Sequence, residues 1–594
     1  MKELEYPFDS EYILKKAKSL KRTLLSDGST RIVKRIAVLG GSTTHDIIKI
    51  LELFLLNYGI EPVFYESEYN MYWQDAMFGN EELDSFSPDM IYIHTTGRNI
   101  SEFPDITDSK EVIDAKIESV FSHFTEMWEK LQEKFGCALI QNNFELPDHR
   151  LLGNMDGSDM HGRVCYINEL NRKIAGYISE RDNMYLCDIS YLSAVYGLDK
   201  WSDPFYWHMY KYAVSMPAIP TLAFNIANII KSVYGKNKKA LALDLDNTLW
   251  GGIIGDDGVD NIVIGQETSM GQVYSEFQTY IKSLKSLGVL LTVDSKNEEE
   301  NALAGLNRPD SVLKPDDFLA IKANWEPKSR NLTEMAEFIN IGEDSFVFVD
   351  DNPAEREIIR QSNPGVAIPV MDKPEEYIRA LDRGGYFEVT GLSADDMKRN
   401  EMYIANAVRK KAQSSFADYG EYLKSLEMEA EIAPFADLYM ARIAQLTNKS
   451  NQFNLTTRRF SQNEIEAMAE DPAYITLYGK LTDKFGDNGV VTVVAGRTEG
   501  DILHIELWLM SCRVLKRDME KAMMDSLMDA CRDRNIREVK GYYYPTAKNG
   551  MVKDFYAVQG YELISSDEEG NTVWSRDVAS YNRQNEYIRV VGNE

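Results

Sequence analysis

Short apolar runs alternate with longer stretches of helical period through the first 236 residues. RIAVLGG at 35–41, PVFYE at 62–66, MIYIHTTG at 90–97 and CALIQNN at 137–143 read as buried strands, with helices predicted from about Asp46 and over about 109–135. Strand and helix in alternation predict a mostly parallel sheet covered by helices on both faces, a doubly wound domain. GKNKK at 235–239 then punctuates the chain ahead of a fresh apolar strand, ALALDLD at 240–246. After it come a helix carrying Val273, Phe277, Ile281, Leu284 and Leu287 and closed by Gly288, the strand VLLTV at 289–293, a helix from about Glu298, and the strand SFVFV at 345–349. These predict a second parallel-sheet domain over 237–385. Residues 386–435 are charged and helical in period, which suits a linker. Over 436–594 the period changes to strict alternation, with a hairpin predicted for GVVTVVAG and DILHIELWLMS, a helix over about 518–534, and strands in VKGYYY and ELISS. That segment reads as an α+β domain, and the whole chain as a multidomain α/β protein.

Chain length agrees with this division, because 594 residues exceed what one hydrophobic core can organise. A formal charge of −29 argues against a nucleic-acid or anionic-membrane partner, since such surfaces are met by clustered Lys and Arg. The five cysteines are odd in number and widely spaced, which suits reduced thiols. No leader-like apolar stretch opens the chain, and no run of ~18 apolar residues interrupts it. A cytoplasmic protein is expected.

The chemistry concentrates in LALDLDNTLWGG, where an apolar strand runs straight into Asp244 and Asp246. Two carboxylates at i and i+2 on the C-terminal mouth of a parallel strand stand where open α/β sheets bind ligands. Asp244 is assigned as nucleophile towards phosphorus and Asp246 as its general acid/base partner. A carboxylate nucleophile needs a metal to neutralise phosphate charge, a cation beside it, and acids to hold the metal. Ser295, after VLLTV, supplies a hydroxyl for a phosphoryl oxygen, and Lys328, in NWEPKS, a fixed positive charge. Asp350 and Asp351, after SFVFV, complete a set of oxygen ligands, with Asp244 and Asp246, for Mg2+.

The ordered set Asp-x-Asp, Ser, Lys, Asp-Asp resembles the four-motif signature of the haloacid dehalogenase (HAD) superfamily. Only about fifty residues, including a full helix, separate Asp244 from Ser295, which leaves no room for a large cap domain. The flanking stretches DLDNTLWGGIIGDDG, IKANWEPKSRN, VFVDDNPAERE, LTNKSNQFNLTTRR, KFGDNG and SCRV resemble one branch of it, the FkbH-like proteins of natural-product assembly. That resemblance implies a phosphorylated small-molecule substrate, 1,3-bisphosphoglycerate, whose glyceryl group is loaded as a thioester onto an acyl carrier protein. One departure is Asp294 in LTVDSKN, where a small residue or Cys is expected; it is read as an added negative charge beside the phosphate.

The first domain resembles the SGNH-hydrolase fold, with Ser42 in GGST after the first strand and Asn99 as an oxyanion donor. Asp203 and His208 are five apart in DPFYWH where that fold uses a D-x-x-H spacing, so a binding or docking role is expected, with His208 packed or touching a ligand. The third domain resembles an N-acetyltransferase (GNAT) fold, whose pyrophosphate turn carries two glycines; here it reads Arg513 to Asp518 with neither. Lys516 and Arg517 are expected to meet the phosphate of a phosphopantetheine arm. Cys512, before a predicted helix start and close to Arg513, is expected to carry the acyl group. Two alternatives stay open: a phosphatase for another phosphorylated metabolite, and a catalytically silent scaffold for a carrier protein.

Overall fold

The computed structural model describes residues 1–591 apart from 393–396, 414–415, 451 and 547, and apart from the side chain at 411. Parts of the predicted linker and of the LTNKSNQFNLTTRR stretch therefore lie outside the described residues. The chain divides into two compact units, Met1–Val233 and Tyr234–Glu594.

Unit 1 holds a five-stranded sheet of β1 (Ile32–Gly40), β2 (Ile60–Glu66), β3 (Met90–His94), β4 (Ala138–Asn142) and β5 (Met184–Cys187), all parallel and ordered β2-β1-β3-β4-β5. β3 and β4 are buried along their whole length, which explains their unbroken apolar runs. The helix Lys110–Phe135 lays Ile113, Ile117, Val120, Phe124, Met127 and Leu131 on the sheet at three- and four-residue spacing. It ends on Gly136, whose φ of 57° is the left-handed conformation that glycine adopts without Cβ strain.

Unit 2 carries two sheets. The first contains β6 (Ala240–Leu243), β7 (Leu290–Ser295), β8 (Ala320–Ala323) and β9 (Phe346–Val349), parallel and ordered β8-β7-β6-β9. Side chains alternate along β6. Leu241 and Leu243 enter a core with Phe277, Ile281 and Val293, whereas Ala240 and Ala242 face Leu332, Met335 and Phe348 on the opposite side.

The second sheet is nine-stranded and mostly antiparallel. Its members are β10 (Met428–Ala433), β11 (Phe453–Asn454), β12 (Tyr474–Asp483), β13 (Gly486–Glu499), β14 (Ile502–Met510), β15 (Glu538–Tyr543), β16 (Glu562–Ser566), β17 (Thr572–Asp577) and β18 (Ile588–Val591). The helix Met519–Asp533 covers one face with Met519, Met523, Met524, Leu527 and Met528. β14 and β15 pair in parallel only from Ile502 to His504, and β11 then takes the free edge of β14, pairing Phe453 with Met510.

The predicted linker is more integrated than its charge pattern implies. β10 lies inside it and belongs to the last sheet, and the helix Arg399–Gln413 is keyed to both sides. Tyr403 enters the core of the first sheet of unit 2, Asn400 donates to Lys285 O at 2.7 Å, and buried Arg409 donates to Asp483 Oδ1 at 2.7 Å. Charge alternation on a helix marks a solvated face only where no buried partner waits for the charge. Among the described residues no helix is long and apolar enough to cross a membrane.

Candidate active site in unit 2

Each strand of the first sheet of unit 2 ends in one motif. Asp244 follows β6, Ser295 closes β7, Lys328 opens the helix after β8, and Asp350 follows β9. All four strands are parallel, so these ends share one edge. β6 and β9 are neighbours at the point where the strand order reverses, where such sheets open a crevice.

Lys328 organises the centre. Its Nζ lies 3.0 Å from Asp244 Oδ1 and 2.6 Å from Asp350 Oδ2, and all three side chains are nearly or fully buried. Burial alone would drive its proton off, but Asp244 and Asp350 outweigh that and hold the ammonium well above the ordinary lysine range. Burial and then Asp244 push Asp350 up despite that cation. Burial raises Asp351 as well. Carboxylate oxygens of Asp244, Asp350 and Asp351 all lie within 4.8 Å of one another. Three carboxylates facing one ammonium leave two negative charges unmatched, which suits a divalent cation taking oxygen ligands.

The side chain of Asp246, also expected among the metal ligands, is not one of the three carboxylates that cluster there. Its Oδ1 accepts from Trp250 Nε1 at 2.9 Å and Ile254 N at 3.1 Å, and its Oδ2 from Asn297 Nδ2 at 2.9 Å. Burial raises its pKa, with those hydrogen bonds opposing. A carboxyl that is oriented and inclined to keep a proton suits a general acid. Asn247 makes the turn behind it in the left-handed region at φ 54°, and its Oδ1 accepts from Gly252 N at 3.0 Å.

Sequence reasoning gave no role to several residues that build this site. Trp250 and Asn297 orient Asp246, buried Thr248 accepts from Asp351 N at 3.2 Å, and Arg356 donates to Asp350 O at 3.1 Å. Their positions within the recognised stretches, Trp250 four residues beyond Asp246 and Asn297 two beyond Ser295, were the available signal. Asp294, expected to add a negative charge, is fully buried, accepts at Oδ1 from Asn331 Nδ2 at 3.1 Å, and has no hydrogen-bond partner at Oδ2. Burial carries its pKa up to about 8, which favours the protonated group.

Cys512 is not brought to Asp244. It opens a three-residue 3-10 turn, Cys512–Val514, and the long helix begins only at Met519, so the expected helix N-terminus is missing. Cys512 O accepts from Asn340 Nδ2 at 2.9 Å, and its side chain acts on Lys239 and Tyr403. Asn340 lies at the far end of the helix that Lys328 begins, twelve residues or about 18 Å along its axis. Lys239 lies at the foot of β6, about 16 Å below Asp244. Both neighbours place the thiol at the N-terminal edge of the sheet. Arg517 is not available to a ligand either. It is buried, donating to Asp483 Oδ2 at 3.0 Å, Asn406 Oδ1 at 2.7 Å and Arg513 O at 2.8 Å. Lys516 is exposed.

In unit 1, Ser42 follows β1, and its Oγ is buried without a hydrogen-bond partner. Asn99 Nδ2 donates to Gly41 O and to Asn70 Oδ1, both at 3.1 Å, which engages both amide hydrogens that an oxyanion would need. His208 is exposed on the short helix Pro204–Tyr210 rather than packed, and Asp203 caps that helix through Phe205 N at 2.8 Å.

Fold and site together make the first sheet of unit 2 similar to phosphatase domains of haloacid dehalogenase type. Residues 35–231, in unit 1, match the family model described as FkbH, N-terminal domain. The chain is 28% identical, with a TM-score of 0.58, to the N-terminal part of a Bacteroides fragilis protein containing a phosphatase domain, solved in complex with Mg. That match covers 63% of this chain and 99% of the other. The ribosomal-protein-S18-alanine N-acetyltransferase of Escherichia coli is 10% identical over 27% of this chain and 99% of its own, with a TM-score of 0.21. The PaiA N-acetyltransferase of Thermoplasma acidophilum, in complex with coenzyme A, is 12% identical over 25% and 99%, with a TM-score of 0.19. Likenesses of that size carry nothing further for this chain. No curated protein matches it.

Proposed function

We propose that unit 2 is a Mg2+-dependent phosphatase of HAD type acting on a phosphorylated small molecule. The observation that carries this is Lys328 bridging Asp244 and Asp350 inside a three-carboxylate pocket. Asp244, Asp350 and Asp351 would hold the metal, which when bound neutralises phosphate charge and orients the phosphoryl group. Asp244 attacks phosphorus as Asp246 gives its proton to the departing oxygen, so the P–O bond to the substrate breaks and a phosphoaspartate forms. Asp246, now ionised, takes a proton from the water that attacks phosphorus, and Asp244 is regenerated with release of phosphate. Lys328 stays charged throughout and holds Asp244 in place.

The finer proposal is that the substrate is 1,3-bisphosphoglycerate and that its glyceryl group passes to the thiol of an acyl carrier protein. The ester phosphate leaves through Asp244. The thioester forms separately, when the thiol attacks the acyl carbon and the acyl phosphate departs. Because Cys512 lies at the opposite edge of the sheet, the carrier's thiol meets the acyl group directly in this reading. The test is phosphate release by the intact chain with Mg2+, followed by mass spectrometry of a carrier protein incubated with it and 1,3-bisphosphoglycerate. Asp244→Asn should abolish phosphate release with the fold intact; full activity in that variant refutes the phosphatase. A carrier that gains no glyceryl mass beside an active phosphatase refutes only the finer proposal.

A further inference from the structure

Trp325 is the most exposed tryptophan at the rim of this site, 68% open to solvent, yet it is not loose. It sits in the loop Trp325-Glu326-Pro327, which enters the helix headed by buried Lys328. Asn324 fixes the loop. Its backbone N donates to Ser295 O at 3.1 Å, and its Oδ1 accepts from Glu326 N at 3.1 Å and Asn331 Nδ2 at 3.0 Å. The indole is fixed too, because Trp325 Nε1 donates to Glu298 Oε1 at 2.7 Å, and Glu298 lies three residues beyond Ser295. The side chain thus spans the two loops that deliver Ser295 and Lys328, with its polar edge satisfied and its ring face open to water. A second exposed apolar residue lies beside the backbone that holds Asp246. Ile253 is 47% exposed, and the next residue, Ile254, donates its N–H to Asp246 Oδ1 at 3.1 Å.

A rigid aromatic face left in water at the mouth of a catalytic crevice is poor use of apolar area unless something covers it during turnover. The phosphoryl group occupies the carboxylates and Lys328, so what reaches the rim is the organic part of the substrate. We infer that Trp325 determines specificity, packing its indole face against the carbon skeleton of an organic phosphate and favouring substrates that reach beyond the phosphate. This rests on the phosphatase reading above and names which phosphates the site prefers.

The experiment compares two phosphate monoesters that share the reacting bond and differ in reach, methyl phosphate and benzyl phosphate, with the intact chain and Mg2+. Trp325→Ala should raise KM for benzyl phosphate about ten-fold, with kcat and all constants for methyl phosphate within about two-fold. Trp325→Phe should restore most of that loss. In parallel, the non-hydrolysable benzylphosphonate should change the intrinsic fluorescence of the parent protein and lose that effect in Trp325→Phe. Equal losses on both esters, or an undiminished benzylphosphonate response in Trp325→Phe, overturns the inference. If the parent hydrolyses neither ester, the phosphatase reading falls by itself, and the benzylphosphonate titration still decides the role of Trp325.

Discussion

Replacing Asp294 by Asn should stabilise unit 2, and the gain should grow with pH. Asp294 is fully buried at the end of β7, receives one hydrogen bond from Asn331, and leaves Oδ2 without a partner. Its pKa in the folded protein is pushed to about 8 by burial, against 3.8 for the free group. The unfolded chain therefore loses this proton near pH 4, whereas the folded chain keeps it until about pH 8. Between those limits the folded state binds more protons than the unfolded state, so stability falls as pH rises, and it levels off above pH 8. Each pH unit in the window is worth about 1.4 kcal/mol, so the advantage of Asp294→Asn over the parent should widen by about 4 kcal/mol between pH 5 and pH 8. The assay is thermal unfolding of parent and variant at pH 5, 6, 7 and 8 in EDTA, so that no metal neutralises the neighbouring carboxylates. A gap on the order of 10 °C should open by pH 8. Parallel pH profiles for the two proteins would refute the reasoning, since they would mean that Asp294 titrates alike in both states.

Lys328→Met leaves buried Asp244 and Asp350 facing each other with no cation, which should cost about 3–5 kcal/mol in EDTA and be partly recovered by added Mg2+; a metal-independent melting temperature would contradict the proposed pocket. Cys512→Ala should leave glyceryl loading at the parent rate, and loss of loading with phosphate release intact would restore the thiol as an acyl relay. Ser42→Ala should not change hydrolysis of p-nitrophenyl esters, because Ser42 Oγ has no base beside it; robust esterase activity lost in that variant would make unit 1 a hydrolase.

What the sequence conveyed well was whatever period and strand-end position encode. Unbroken apolar runs such as ALAL and FVFV mark strands buried on both faces, and the first polar residues after them, Asp244 and Asp350, mark the candidate site's edge; Ser295 and Lys328 were legible from their order along the chain. Partnerships between distant residues were not. A charged helix over 399–413 looks solvated until Asp483, seventy-four residues after Arg409, is known to wait inside the next sheet. Arg517 reads as a free cation for the same reason, although that carboxylate also holds it. Asp294 was seen as a departure, but its protonation state depends on burial that no local pattern reports.

Cys512 shows the difference most sharply. Its sequence surroundings, a strand end followed by cations, are those of a reactive thiol, and nothing in them carries a direction. The direction comes from two elements that share no contact in sequence with Cys512. The helix Lys328–Ile339 begins in the active site and ends beside it, and β6 begins beside it and ends in the active site. Both measure the full depth of the sheet, about 16–18 Å, between the thiol and Asp244. That depth is packed with Leu332, Met335, Phe346 and Phe348, all fully buried. An acyl group held at the mouth near Asp244 therefore cannot reach Cys512 without unpacking the core, whereas a flexible arm presented from solvent reaches the mouth freely. Carrier loading by the intact Cys512→Ala variant is where these two routes part.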